Sequence, residues 1–158
     1  MTESINTSRL TLTPLDVADA AEMVDVLSDP ALYAFTGGTP PNFAQLLELY
    51  RHQTSGAPRG GDIWHNWILR LDGSAIGYVQ ATVKGVCADL AWFVGVPWQG
   101  SGYATESSQA VRDWLADRGV ARFSAQIHPD NGASRAVATR LGLRPTGQSD
   151  ADGEMIWE

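Results

Sequence analysis

The stretch from Gln99 to Ala104 is the part of this sequence whose residue types and spacing best fit a chemical task. It reads Gln-Gly-Ser-Gly-Tyr-Ala and lies between an apolar segment, Leu90–Val94, and an amphipathic segment that predicts a helix from about Gly102 to Asp117. Glycine permits positive φ angles and lets a bulky group approach the main chain. A glycine turn that opens a helix directs several N–H groups and the positive end of the helix dipole toward one point. The sequence therefore predicts a backbone site for a phosphorylated ligand, best a diphosphate.

Two other phosphate-binding glycine motifs do not match this turn. A P-loop requires Lys followed by Ser or Thr after its second glycine, whereas Tyr103 and Ala104 follow here. A dinucleotide-binding fold places its glycines after the first strand, whereas this turn comes late, after strands predicted to form hairpins. Neither nucleoside-triphosphate hydrolysis nor dinucleotide binding of that kind is therefore expected.

The composition predicts one globular domain spanning residues 1–158, with 44% hydrophobic and 18% charged residues. The formal net charge of −7 argues against a nucleic-acid partner and mildly favours a cationic small molecule or a basic peptide. No apolar run reaches the roughly 18 residues that span a bilayer, and the first residues lack the pattern of an export signal. The single cysteine, Cys87, excludes an intrachain disulfide and fits a reducing compartment. We therefore expect a cytoplasmic monomer or homodimer without a membrane partner.

Hydrophobic periodicity predicts an α/β chain of the α+β type, in which helices interrupt a mixed, largely antiparallel sheet. The predicted strands cover residues 8–13, 63–71, 75–83, 87–94, 123–127, 143–147 and 154–157, and the predicted helices cover residues 16–28, 42–52, 102–117 and 131–141. The segment Ser55–Gly61, which contains Pro58, is rich in glycine and is too short to separate two domains.

Two motifs about 30 residues apart resemble the GNAT superfamily of acyl-CoA-dependent N-acyltransferases. Gln99–Ala104 matches the family's Q/R-x-x-G-x-G/A signature. His128–Ser134, followed by Arg140–Leu143, is similar to its N-x-x-S helix and the K/R-L-G-F-type turn. Trp92–Val94 and Thr105–Glu106 resemble the RimJ/RimL-type branch, which acetylates the N-termini of ribosomal proteins.

A third, weaker match is Thr7–Leu12, so the resemblance covers nearly the whole chain. It implies a GNAT fold, with a mostly antiparallel sheet of about six to seven strands, splayed into a V at the strand ending in Val94, and about four flanking helices. Acetyl-CoA would be the cosubstrate and would lie in the V, with its diphosphate on the glycine turn, its pantetheine arm along the strand, and no metal. The residues implied for binding it are Phe93, Val94, Gln99, Gly100, Ser101, Gly102, Tyr103, Ala104, Asn131 and Ser134.

Acetyl transfer to an amine requires a base, because a protonated amine (pKa about 10.4 for a lysine-like group) has no lone pair. Asp89, on the strand that leads to the expected thioester position, is our candidate base, acting through water; a solvated residue or an ion pair is the alternative. A backbone N–H of that strand would polarise the thioester carbonyl. Many family members carry a tyrosine acid just before the residues matching Arg140–Gly142, whereas this chain has Ala138 and Thr139. Ser134, or water beside it, is the substitute candidate.

Two histidines and the cysteine each allow two interpretations. His128 stands at a strand end, where a base could act, but we favour a histidine bonded to the turn that follows it. His65 could line an acceptor pocket, although a packed side chain is the preferred interpretation. Cys87 could carry an acyl group, but a lone cysteine in an apolar strand is expected to be inert core. The tryptophans expected near the cleft are Trp64, Trp92 and Trp98.

The sequence thus predicts an acetyl-CoA-dependent N-acetyltransferase that uses direct transfer to a primary amine in a ternary complex. The acceptor could be a protein N-terminus, an amino acid, a polyamine or an aminoglycoside-like drug. By resemblance, the loop Thr36–Thr39 and the helix from Asn42 belong to the acceptor side. The alternatives are a non-catalytic acyl-CoA-binding sensor, which the missing tyrosine favours, and an acyltransferase for longer chains.

Overall fold

The computed structural model describes residues 1–57 and 60–158, which form an eight-stranded sheet and four α-helices. In chain order the elements are β1 (Ile5–Asn6), β2 (Thr11–Pro14), α1 (Ala20–Val26), α2 (Phe43–Thr54), β3 (Ile63–Leu71), β4 (Ser74–Lys84), β5 (Cys87–Val94), α3 (Tyr103–Ala116), β6 (Arg122–Ile127), α4 (Gly132–Arg140), β7 (Pro145–Ser149) and β8 (Met155–Trp157). Pro58, in the predicted connection Ser55–Gly61, lies outside the described residues.

The strands follow the order β1-β2-β3-β4-β5-β6-β8-β7 across the sheet, and every neighbouring pair is antiparallel except β5 and β6. This confirms the predicted α+β fold with its mostly antiparallel sheet, while the described residues contain one strand more than the six to seven expected. The difference arises at the N-terminus, where the predicted strand 8–13 is part of a hairpin. The Thr7 N–H donates to the Leu10 carbonyl at 2.9 Å, and this turn separates β1 from β2.

Side-chain caps fix where most of the helices begin. Asp16 caps the first helical segment, as predicted, but that segment opens with a 3₁₀ turn, and α1 is shorter than the expected 16–28. Asn42 forms a reciprocal capping box with Gln45 at the start of α2. Asn131 caps α4 through a hydrogen bond from the Ser134 N–H to its Oδ1, at 3.1 Å. These caps satisfy N–H groups that a helix start otherwise leaves without partners.

The two faces of the sheet pack against different helices. One core contains residues of α3 and α4, such as Val111 and Leu141, packed on the sheet, and the other contains residues of α1 and α2, such as Met23 and Leu46. Each of these four side chains is at least 99% buried, which stabilises the fold by roughly 1.5–3 kcal/mol per residue. Because side chains alternate along a strand, neighbouring residues of β5 reach opposite sides of the sheet.

The sheet opens between β5 and β6. Pairing of these strands is confined to Cys87–Asp89 with Arg122–Ser124, and from Ala125 onward β6 pairs with β8 instead. Leu90–Val94 therefore has no strand beside it on that side among the described residues. This divergence confirms the V expected at the strand that ends in Val94. No helix in the described ranges has both the length and the apolar character needed to cross a membrane.

Candidate active site

The opening between β5 and β6 is a cleft of about 1310 Å³. Its lining includes residues 90–94 and 98–106, residues 125–128, residues on α2 and α4, and Glu154. A pocket for one small ligand usually has about 300–1,000 Å³. The cleft is therefore large enough for two reactants at once.

The glycine turn supplies one end of this cleft with free backbone donors. Gly100 and Gly102 have φ angles of 82° and 85°, a left-handed conformation that favours glycine. Within the described ranges, no protein acceptor is hydrogen-bonded to the N–H groups of residues 100–104. The Gln99 side chain donates from Nε2 to the Val94 carbonyl at 3.0 Å, which ties the turn to the end of β5. These N–H groups and the start of the 14-residue helix α3 have the geometry of an anion site.

Arg9 adds a positive charge beside this turn and was missed as a site residue in the sequence. Its guanidinium lies 4.4 Å from the centre of the Tyr103 ring, and a Cβ atom on Gly102 would lie 3.4 Å from its Nη2. Arg9 Nε also donates to Glu106 Oε1 at 2.8 Å. Burial opposes ionisation of Glu106, but hydrogen bonds from Thr7 and Arg9 outweigh it and lower the pKa of this carboxyl. The only sequence signal for Arg9 was the weak match Thr7–Leu12.

The register of β5 identifies which of its main-chain groups face the opening. The Gly95 N–H donates to the Ile76 carbonyl at 2.8 Å, which sets the pairing with β4. Because the hydrogen-bonding groups of an antiparallel strand alternate between its two sides, those of Phe93 also point toward β4. Those of Trp92 and Val94 point toward the opening. Of the two residues expected to make a main-chain contact, Val94 has its backbone groups on the side of the opening, whereas those of Phe93 are on the side of β4.

Phe93 instead contributes its ring to the side of the cleft that faces α1 and α2. The ring stacks on Tyr78 with centroids 5.2 Å apart, and Tyr33 lies 6.5 Å away. Burial raises the pKa of Tyr78 to about 12, and burial likewise raises the pKa of Tyr33 and of Tyr50. All three hydroxyls are therefore protonated at neutral pH.

Two carboxylates lie close enough for the charge of one to act on the other: Asp89, where β5 and β6 separate, and Glu154, just before β8. Asp89, the predicted base, is half-buried and accepts a hydrogen bond from Ser124 Oγ at 2.9 Å. Burial raises the pKa of Asp89, while hydrogen bonds from Ser124 and Gln126 oppose this shift. Asp89 does not line the cleft, whereas Glu154, which sequence reasoning missed, does. Burial raises the pKa of Glu154, and negative neighbours, first Asp150, add to the shift.

The turn between β7 and β8 positions Glu154. Asp150 Oδ1 accepts hydrogen bonds from the N–H groups of Asp152 and Glu154, both at 2.9 Å. The carboxylate oxygens of these three residues come within 4.8 Å of one another. This cluster makes that end of the cleft negative, which favours a cationic amine over an anionic substrate.

The start of α4 brings the other predicted residues to the cleft. Asn131 and Ser134 both line it, although the Asn131 side chain also caps the helix. The Asp130 N–H donates to His128 Nδ1 at 3.1 Å, which confirms the turn-bonding interpretation of this histidine. Its ring also contacts Phe35, with centroids 5.2 Å apart, so the segment between α1 and α2 reaches the end of β6.

Other candidates lie away from the cleft. His65 is only 7% exposed, stacks on Trp67 and is bonded through Nδ1 to Thr2 Oγ1, so the packed interpretation is confirmed. The expectation that Cys87 is buried core was wrong, because the residue is exposed where β5 leaves the tight turn from β4. Of the three tryptophans expected at the cleft, Trp92 and Trp98 line it, whereas Trp64 packs against His52 of α2.

Solved structures with this architecture include several acetyltransferases. An acetyltransferase from Agrobacterium tumefaciens is 25% identical, with 99% of this chain and 94% of that chain covered at a TM-score of 0.77. The ribosomal L7/L12 α-N-protein acetyltransferase RimL, in complex with coenzyme A, is 20% identical, with coverages of 98% and 95% and a TM-score of 0.82. RimJ from Mycobacterium smegmatis, in complex with a CoA-disulfide, is 20% identical, with coverages of 94% and 80% and a TM-score of 0.78. No curated protein matches the chain at the level of sequence.

The family can be assigned from the sequence match. The profile that describes the acetyltransferase (GNAT) domain matches residues 9–144, which is most of the chain. The matched range contains the glycine turn, β5 and the start of α4, which are the elements that form the cleft. With its V-shaped sheet and free backbone donors, the chain belongs to the GNAT acetyltransferase family.

Proposed function

We propose that this protein is an acetyl-CoA-dependent N-acetyltransferase that acetylates a primary amine by direct transfer in a ternary complex. The observation that carries the proposal is that, among the described residues, the N–H groups of residues 100–104 have no acceptor and the adjacent side of Leu90–Val94 has no paired strand. The complexes of RimL and RimJ with coenzyme A and its disulfide support this binding mode through the shared fold.

Acetyl-CoA would be held mainly by the main chain. Its diphosphate would accept hydrogen bonds from Gly100, Ser101, Gly102, Tyr103 and Ala104, with further attraction from the α3 dipole. Arg9, beside the same turn, would add a charge-assisted contact.

The pantetheine arm would continue this main-chain recognition along β5. Its amide groups would pair with Trp92 and Val94 in the manner of an added strand. One of these N–H groups would polarise the thioester carbonyl. Asn131 and Ser134 would contact the sulfur end of the arm. Gln99 would act indirectly, because its side chain is already bonded to Val94.

In the reaction a C–N bond forms, the C–S bond breaks, the amine loses a proton and the leaving thiolate takes one. We assign the base to Glu154, acting through water, since it lines the cleft and its raised pKa lies nearer to working pH. Asp89 remains the competing candidate, because its pKa is also raised and its charge acts on Glu154. Ser134, or water beside it, would protonate the thiolate. Cys87 lies outside the cleft, which favours direct transfer over an acyl-cysteine route.

The first experiment is a calorimetric titration with acetyl-CoA, followed by a thiol-release assay with a panel of primary amines. The proposal predicts binding, together with thiol release that depends on at least one amine. Binding without release for every amine would favour a non-catalytic sensor, the alternative supported by Ala138 and Thr139 where many relatives carry a tyrosine. No detectable binding would overturn the anion site itself. Parallel assays with longer acyl-CoA thioesters would test the preference for acetyl.

A further inference from the structure

Two residues of helix α2 that line the cleft carry polar atoms without a hydrogen-bond partner in the described part of the chain. The Tyr50 hydroxyl and Gln53 Oε1 are shielded from solvent and have no hydrogen-bond partner among the described residues. Buried polar atoms without partners are destabilising, and native proteins nearly always satisfy them. Both residues line the cleft and lie three positions apart on one helix face, so one bound group can reach both.

The strands beneath α2 add two more uncharged polar side chains. Asn66 of β3 and Gln80 of β4 are cross-strand partners, and both line the cleft. Neither side-chain amide has a hydrogen-bond partner in the described part of the chain. The rings of His52 and Trp64 lie 5.3 Å apart, which places the second half of α2 over this region of β3. Since alternate residues share a strand face, Asn66 faces α2 together with Trp64.

The charge that acts on Tyr50 does not favour a second cation beside it. Asp19 is the acidic residue that contributes to the raised pKa of Tyr50, and it is paired with Arg70 at 2.7 Å. The Tyr50 hydroxyl stays protonated, because burial raises its pKa, and it can therefore donate. Gln53 Oε1 can only accept. A donor and an acceptor side by side match the C=O and N–H of an amide group.

We propose that Tyr50, Gln53, Asn66 and Gln80 form the acceptor subsite and select amines that carry an amide group close to the reactive nitrogen. This inference rests on the proposed acetyltransferase function. The amine end of the acceptor would lie toward Glu154, and its amide would bond to Tyr50 and Gln53. A simple alkylamine would leave both groups unpaired, and a polyamine would place a second charge among neutral side chains.

The test compares three acceptors in the thiol-release assay: alanyl-alanine amide, hexylamine and spermidine. The wild-type kcat/KM for the dipeptide amide should exceed that for each of the others by about tenfold or more. Tyr50→Phe and Gln53→Leu should each raise the KM for the dipeptide amide about three- to tenfold and leave the KM for acetyl-CoA unchanged. Neither variant should change the KM for hexylamine. Glu48→Gln, on the exposed side of α2, is the matched control and should change none of these values.

Equal efficiency with hexylamine, a preference for spermidine, or an unchanged KM in both variants would overturn the subsite. In each of these results thiol is still released, so the proposed transferase function survives. Acetyl-CoA binding without thiol release for any acceptor would overturn the proposed function and the subsite with it. A structural role for Tyr50 would instead lower the melting temperature of Tyr50→Phe and change the KM for all three acceptors alike.

Discussion

The two sides of the cleft are built from different parts of the chain. On the proposed binding mode, the cofactor side is mostly main chain from one continuous stretch, residues 92–104, supplemented by Arg9 and by Asn131 and Ser134 at the start of α4. The proposed acceptor side is made of side chains from α2, β3 and β4 and of Glu154, just before β8, which are far apart in sequence. A substitution cannot remove a backbone N–H group, except by proline, whereas it can remove a hydroxyl or a carboxylate outright. Activity should therefore depend on the identity of the side chains on the acceptor side. Cofactor binding should depend instead on which backbone conformations the residues of the glycine turn can adopt.

The largest effect is expected from Glu154→Gln on the acceptor side. The loss of a general base should lower kcat by about 10²-fold or more. Calorimetry should show unchanged affinity for acetyl-CoA, because the proposed binding mode gives Glu154 no contact with coenzyme A. Asp89→Asn is the matched control, because it also neutralises a carboxylate. It should lower kcat much less, since Asp89 does not line the cleft. The reverse ranking of the two variants would move the base to Asp89.

The pH dependence of kcat/KM is a second test of Glu154 as the base. Burial raises the pKa of Glu154, so this base is lost by protonation above the usual glutamate range. The wild-type kcat/KM should fall as the pH falls through this raised pKa, and Glu154→Gln should lack that step.

A raised pKa of Glu154 in the folded state also means that ionisation opposes folding as pH rises. Glu154→Gln should therefore melt at a higher temperature than wild type at pH 7.

The next largest effect concerns the backbone of the cofactor side. Gly102→Asp should weaken acetyl-CoA binding about tenfold or more, because it places a carboxylate at the diphosphate and strains a backbone with a φ angle of 85°. Gly119→Asp is the control, since Gly119 has a φ angle of 97° at the other end of α3. Calorimetric titration of both proteins, with circular dichroism to verify folding, makes the comparison. If acetyl-CoA binding were weakened equally in the two variants, the cause would be a change in helix α3 rather than the loss of an anion site.

Arg9→Gln should have a smaller effect, on cofactor affinity alone. Removing one partly exposed charge beside the turn should weaken acetyl-CoA binding about three- to tenfold, and added salt should reduce this difference. Arg118→Gln is the control, because Arg118 also stacks on an aromatic ring of α3 (3.7 Å from Trp114) and pairs with a glutamate, Glu3. The affinities of both variants for acetyl-CoA, measured at two salt concentrations, test this prediction. A salt-independent loss, or the same loss in both variants, would contradict a diphosphate contact.

The smallest effect expected is on thermal stability, and it compares a tyrosine whose hydroxyl is hydrogen-bonded with one whose hydroxyl has no partner in the described part of the chain. The Tyr33 hydroxyl donates to the Leu27 carbonyl at 2.9 Å, so Tyr33→Phe should lower stability by about 1 kcal/mol. For a chain of 158 residues this corresponds to a melting temperature lower by about 2–4 °C. Tyr50→Phe removes a hydroxyl that has no partner within the described ranges and should leave the melting temperature equal or higher. Thermal unfolding without ligands measures both, and a marked loss for Tyr50→Phe would indicate a structural role.

The difference between the two sides also explains what could be predicted from the sequence. The glycine turn is local, because two left-handed residues and a helix start occupy six consecutive positions. Hydrophobic periodicity and turn residues likewise identified β3, β4 and β5, since tight hairpins connect them. The split of the N-terminal strand was missed, because it depends on the Thr7–Leu10 hydrogen bonds and on pairing with distant β3.

The acceptor side could not be predicted in the same way. The spacing of Leu46 and Tyr50 along α2 is typical of a buried helix face, and both residues are indeed buried. Only the structure reveals that the Tyr50 hydroxyl has no partner in the described part of the chain. Glu154 carries no motif, and it reaches the cleft because β8 inserts between β6 and β7. Cys87 was misplaced for a related reason, since the apolar character of β5 says nothing about where the sheet ends.

The unpaired side of β5 has a consequence for how the protein behaves in solution. An open strand edge is a template for pairing with another chain, and proteins normally protect such edges against aggregation. Here the edge lies inside a cleft, so only a narrow, extended partner can reach it. On the proposed binding mode, coenzyme A fills that position and removes the template. Protein purified without coenzyme A should therefore aggregate more readily on storage and heating than protein that is kept saturated with it.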